Sequence, residues 1–150
     1  MTATTTAGAE SIQTIPASHL DLLVRPVSAV LSTIGSDGSP QSSIVWVDYD
    51  SACVRVNTTT ERQKARNILE NPKVSVLIVD PENNARYLQI RGDAEVVTRD
   101  AVEHLDTLTR KYTRHPRYYG FVYPVEQQAR ETRIVCRIHP KRVTIDAIHA

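Results

Sequence analysis

The residues most able to do chemistry lie between Thr58 and Pro72, in TTTERQKARNILENP, where Arg62, Lys64 and Arg66 fall within five positions of one another. They follow a predicted strand, Val54 to Asn57, and three threonines able to cap a helix. They therefore occupy the first two turns of a helix expected over Glu61 to Glu70. A helix start presents unpaired backbone N–H groups and the positive end of the dipole, where added cations are unfavourable. Cations kept at that point suit an anion site; the competing reading is a solvated cationic face on a surface helix.

Other candidate groups give less. Cys53 and Cys136 have no CxxC partner, and His19, His104, His115, His139 and His149 show no ligand spacing, so neither a metal site nor a Cys/His nucleophile is expected. Both cysteines read as buried small apolar residues, and His104 as a surface residue on a helix. Arg55 shares one side of its strand with Cys53 and Asn57 and faces either a ligand or water. Tyr112, Tyr118, Tyr119, Phe121 and Tyr123 gather around the Pro-bounded segment HPRYYGFVYP, which suits a lid over a pocket or a surface packed at a dimer interface or barrel end.

A net charge of +1 gives no global field for nucleic acid or an anionic membrane, so anion binding must be local. No apolar run reaches bilayer length, and the first residues lack the basic and apolar blocks of a signal peptide; a cytoplasmic location is the expectation. At 150 residues and 41% hydrophobic content the chain reads as one globular domain, residues 15–150, behind a flexible Thr/Ala-rich tail, residues 1–14.

Several elements must position the cations. A short helix, Pro16 to Val24, capped by Ser18, precedes a strand from Val27 to Ile34. The Asp37-Gly38 pair then predicts a hairpin into a strand from Gln41 to Tyr49, and a second turn leads to Cys53 to Asn57, three strands in meander order. After the cationic helix, with Ala65, Ile68 and Leu69 inward, Val74 to Val79 reads as a fully buried strand. Arg86 to Val97 is a longer strand bent at Gly92, as barrel closure requires. A helix from Asp100 to Tyr112, capped by Thr98 and turned inward through Val102, Leu105, Leu108 and Tyr112, comes next. The chain ends in strands Thr132 to His139 and Val143 to Ile145, separated at Pro140. The pattern is mainly β with flanking helices, an antiparallel barrel, and it contains neither GxGxxG nor a Walker loop.

The order strand, DGSP hairpin, strand, strand, R-x-K-x-x-N-I, buried strand and RYLQIRGDAEVV resembles the split β-barrel flavin and deazaflavin oxidoreductases, the superfamily of the pyridoxamine 5'-phosphate oxidases. RYLQIRGDAEVV, AVEHLDTLTRKYT and RIVCRIHPKRV are most similar to the actinobacterial subgroup dependent on the deazaflavin coenzyme F420. The resemblance runs from His19 to Ile145 and implies an FMN-binding-type split barrel, a homodimer and two cofactor grooves between subunits. It places Arg62 and Lys64 on the phosphate-contacting pair, with Arg66 and Asn67 continuing that motif and Asn67 orienting the loop. Ser43, Ile44, Val45 and Trp46 fall on the segment along the ring, and Arg86 and Tyr87 on a segment that reaches the cofactor from the partner. Read without the resemblance, Trp46 is equally a core filler, Tyr87 a cross-strand packing residue and Arg86 a solvated strand end. The implied activity is hydride transfer between F420 and a conjugated small molecule such as a quinone, an enone or a tetrapyrrole. FMN chemistry of the oxidase type, or non-catalytic F420 storage, are the alternatives. The anionic tail of F420 would need further cations, for which Arg25, Arg55, Arg66 and Arg86 are available.

Overall fold

A computed structural model describes residues 13–146. Most of the expected tail, and His149, lie outside them. The strands β1 (Ala29–Ile34), β2 (Pro40–Val45), β3 (Val47–Tyr49), β4 (Val54–Thr59), β5 (Lys73–Val79), β6 (Tyr87–Val97) and β7 (Arg133–Ile145) form one antiparallel sheet in the order β2-β1-β5-β6-β7-β4-β3. The sheet curls into a split β-barrel. Helix α1 (Asp21–Val24) follows a 3-10 turn, α2 (Gln63–Glu70) joins β4 to β5, and α3 (Ala101–Thr113) joins β6 to the segment before β7.

The apolar run from Gln41 to Tyr49 is not one strand. It breaks at Trp46, and its halves lie at opposite edges of the sheet, β2 beside β1 and β3 beside β4. A continuous strand can border only one neighbour on each side, so this break replaces the expected meander and carries the chain from one edge to the other. The Asp37-Gly38 hairpin forms as read: Gly38 takes φ +85 and Asp37 accepts the Ser39 N–H at 2.9 Å. Gly92 marks a register irregularity in the β6–β7 ladder, and β7 runs unbroken through Pro140, which stands opposite that glycine. Proline has no N–H to leave unpaired, so an irregular point in the ladder tolerates it.

The core gathers alternate residues of the strands, among them Leu31, Val56, Val76, Ile90, Ile134 and Cys136, closed by Leu22 and Leu23 of α1 and Ala65 and Ile68 of α2. β5 is not buried throughout. Only Val74, Val76 and Ile78 point inward, the period-2 pattern of a strand with one solvated face. Leu69 is 62% exposed, and Asn67 takes the inward place expected for it, because Asn67 finds polar partners in the barrel wall. The threonine caps are absent. Thr58 and Thr59 stay in β4, Arg62 holds the N-cap position of α2, and a left-handed Asp100 replaces Thr98 at the start of α3. Ser18 likewise makes no cap bond and donates or accepts at the His19 ring.

A Cβ at residue 92 would sit 2.0 Å from the His139 carbonyl oxygen, inside backbone that cannot yield locally. Gly92→Ala is therefore expected to lower unfolding free energy by at least ~2 kcal/mol in urea titrations at fixed protein concentration, and Gly38→Ala, where the space is open, by less.

Candidate functional site

Trp46 sits where the chain crosses between sheet edges, and α3 fixes it there. Tyr112 stacks on the indole at 5.3 Å and 11°, donates its hydroxyl proton to the Val27 carbonyl at 2.8 Å and accepts the Val47 N–H at 3.1 Å. Lys111 donates to the carbonyls of Leu23 and Val47 at 2.5 and 2.6 Å. Burial pushes its ammonium down to about 8, against the opposing pull of Asp48. Asp48 in turn holds Arg55 through two bonds, at 2.9 and 2.7 Å, and the ring of His104 at 3.1 Å. Burial raises the Asp48 carboxyl, but His104 and Arg55 outweigh it and keep it below the usual carboxylate range. His104 is thus buried, not a surface residue, and Arg55 serves the scaffold.

In front of the indole lies an open cleft of about 190 Å³. It is lined by Ile44, Val45 and Trp46 at the strand break, Asn57 and Thr58 of β4, Arg62 and Lys64 at the start of α2, Leu105 of α3, and Tyr118 and Arg133. Three cations line this cleft, and two of them are unpaired among the described residues. Neither the Arg62 guanidinium nor the Lys64 ammonium has a hydrogen-bond or ion-pair partner among the described residues. Burial, followed by the Arg62 charge, pushes the Lys64 ammonium below its ordinary value. The Thr58 hydroxyl, in a residue 2% exposed, has no hydrogen-bond partner among the described residues. A buried orphan hydroxyl costs free energy unless something accepts or donates to it, and the residue that carries it lines the same cleft as two unpaired cations. Arg62 and Lys64 supply the kind of charged donors that a phosphate group takes, and Thr58 adjoins them.

The other residues named from the sequence divide. Ser43 is half-buried on β2 and outside the cleft lining. Arg66 turns away, donating to the Glu61 carbonyl at 2.7 Å and to Gln63 at 3.0 Å. Asn67 donates to Thr33 at 3.0 Å and Gln41 at 3.2 Å and accepts from Gln63, so it ties α2 to the β1–β2 hairpin and sets where the cations stand. Arg86 lies away from this cleft, paired with Asp80 at 2.9 Å and with Asp21, and Tyr87 follows it at the start of β6.

Thr58, Asn57, Leu105 and Arg133 escape sequence reading. Arg133 is the instructive case: its side chain is 6% exposed, pairs with Glu131 at 3.1 Å, donates to the Tyr119 hydroxyl at 2.9 Å and lies 4.9 Å from the Tyr118 ring centre. Tyr118 then meets Trp46 edge-on at 6.4 Å. The aromatic segment is accordingly divided, Tyr118 in the cleft wall and Tyr119 buried, with Phe121 and Tyr123 exposed.

The model for pyridoxamine 5'-phosphate oxidase matches residues 15–145. The chain belongs to the pyridoxamine 5'-phosphate oxidase family. Among solved structures, one titled F420 reductase is 31% identical to this family member, covers 87% of this chain and 98% of its own, and superposes with a TM-score of 0.74. A conserved hypothetical protein of Mycobacterium tuberculosis is 26% identical over 90% of this chain and 86% of its own, TM-score 0.70. HupZ of Group A Streptococcus, 20% identical over 87% of this chain and 93% of its own with a TM-score of 0.60, shares the fold. The family makes the chain an oxidoreductase-like protein of the flavin-binding split-barrel type. No described helix is long and apolar enough to cross a membrane.

Two outcomes follow from the unpaired donors. Thr58→Val should leave the ligand-free protein as stable, or raise its stability by up to ~1 kcal/mol in thermal unfolding, while weakening inorganic phosphate binding. Phosphate affinity measured by calorimetry should also fall as pH rises through the depressed Lys64 titration, below the ordinary lysine value of 10.5, because the neutral amine no longer attracts the anion.

Proposed function

We propose that this family member is an oxidoreductase using the deazaflavin coenzyme F420 to reduce a conjugated small molecule, such as a quinone, an enone or a tetrapyrrole. The observation that carries the reading is the conjunction, in one cleft beside Trp46, of the unpaired Arg62 and Lys64 with Thr58, whose buried hydroxyl has no partner among the described residues. The F420 reductase neighbour at 31% identity favours the deazaflavin over FMN. When bound, the coenzyme supplies hydride chemistry, and the chain supplies placement and exclusion of water. Arg62, Lys64 and Thr58 would hold the ribityl phosphate, and Ile44, Val45 and Trp46 would offer a strand edge and apolar surface to the ring. Tyr118, held by Arg133, would limit how far a ring can slide along the indole.

The cleft of about 190 Å³ is smaller than the roughly 300–1,000 Å³ of ordinary cofactor pockets, and Ile44 beside it is 67% exposed. Both facts favour a homodimer in which a second copy completes each site. The Arg86–Tyr87 segment lies outside the protomer's own cleft, and only a partner could bring it there.

Trp46 is the chain's single tryptophan, so its fluorescence reports this cleft directly. Titration with F420 should quench it saturably, FMN should not, and Lys64→Ala should weaken F420 binding by ~1.5–3 kcal/mol without unfolding the protein. Quenching by FMN alone would replace the deazaflavin reading with the oxidase one. F420 binding with no turnover across a panel of quinones and enones would leave a storage protein.

A further inference from the structure

The geometry points to a second anion-binding cleft, separate from the first, that takes a small ligand carrying two or more carboxylate groups. It lies over the β1, β5, β6 and β7 strands, has a volume of about 660 Å³ and shares no lining residue with the cleft at Trp46. Lys73, Arg91, Lys141 and Arg142 line it with a single carboxylate, Asp93, which Lys141 engages at 2.6 Å. The side chains of Lys73, Arg91 and Arg142 have no ion-pair or hydrogen-bond partner among the described residues.

Their placement is not that of a random charged face. Arg91 and Arg142 stand directly opposite each other in the β6–β7 ladder, and Ser75 stands opposite Arg91 on the other side. Like charges in a directly opposed cross-strand pair repel, and an anion between them turns that repulsion into two attractions. Lys73 adds a third cation one pleat along β5, paired in register with Asp93. Two forked guanidinium groups and an ammonium around hydroxyls of Ser32 and Ser75 match separate carboxylates on one molecule better than a single phosphate.

The sequence suggested Arg25, Arg55, Arg66 and Arg86 for an anionic cofactor tail. Arg25, Arg55 and Arg86 are each neutralised by Asp or Glu of this chain, and Arg66 is bound to Glu61 and Gln63. Lys73, Arg91 and Arg142 of the second cleft remain uncommitted among the described residues, as Arg62 and Lys64 of the first do. The second cleft lies beyond the far end of α2, about 12 Å of helix from the phosphate pair. A glutamate chain leaving the first cleft and a free polycarboxylate are two sources of the same chemistry, and the inference does not depend on which redox ring the first cleft holds.

Calorimetry on the full chain, free of cofactor and at low salt, with citrate and with a tri-γ-glutamate peptide as probes, tests it. At least one probe should bind saturably and lose about tenfold or more in affinity in Arg91→Gln/Arg142→Gln. Inorganic phosphate binding at Arg62 and Lys64 should be unchanged, so failure here is distinguishable from failure of the F420 reading. Preference for the peptide assigns the cleft to a tail, and preference for citrate to a free metabolite. Absence of saturable binding by either probe overturns the proposal, as does equal binding in the double variant. Loss of a dimer in that variant, with no probe binding to the wild type, also overturns it and points to a second copy as occupant. Arg142→Gln alone, at an exposed position, repeats the comparison should the double variant fail to fold.

Discussion

The break at Trp46 is the constraint on which the rest depends. A sheet that curls toward closure needs a segment that leaves one edge and joins the other, and residues 45–47 do this with a single residue between strands. The cost is a stretch of backbone without ladder partners inside the protein. Tyr112 and Lys111 meet part of that cost by bonding the Val47 N–H and carbonyl. The indole is thereby turned outward and clamped, and the cleft forms in front of it.

Electrostatics divides the molecule into committed and uncommitted charges. Arg55, Arg86, Arg133 and Arg137 each have a carboxylate partner, and the networks around Asp48 and Asp21 tie helices to the sheet. Such pairs at partly exposed sites add modest stability and mainly fix geometry. Arg62 and Lys64 are treated differently. They stand close enough for Arg62 to depress the Lys64 titration, without a carboxylate between them. Two cations left in repulsion beside a residue with an orphan hydroxyl form an arrangement that a bound anion would relieve.

Much of this was legible in the sequence where a local rule and the tertiary fold agree. The Asp37-Gly38 turn, the bend at Gly92 and the Arg62/Lys64 spacing each rest on a backbone or charge rule acting within a few residues. The split at Trp46 was not legible, since no Gly or Pro interrupts SSIVWVDY and only barrel closure demands the break. Pro140 misled for the converse reason: a breaker by type, it is harmless opposite the irregularity at Gly92. Thr58 and Arg133 were invisible because their roles arise from burial and from partners that the ladder, not the local sequence, brings near. Asp48 hid His104 in the same way, across 56 positions of chain.

The central claim is that Arg62, Lys64 and Thr58 remain unpaired in order to hold the phosphate of a redox cofactor against the wall at Trp46. A crystal structure of the protein soaked with F420 tests it most directly. Phosphate oxygens within hydrogen-bond distance of both cations and of the Thr58 hydroxyl, with the ring along Ile44 to Trp46, is the predicted result. Phosphate bound elsewhere, with Arg62 and Lys64 turned to solvent and the Thr58 hydroxyl still unpartnered, would contradict it.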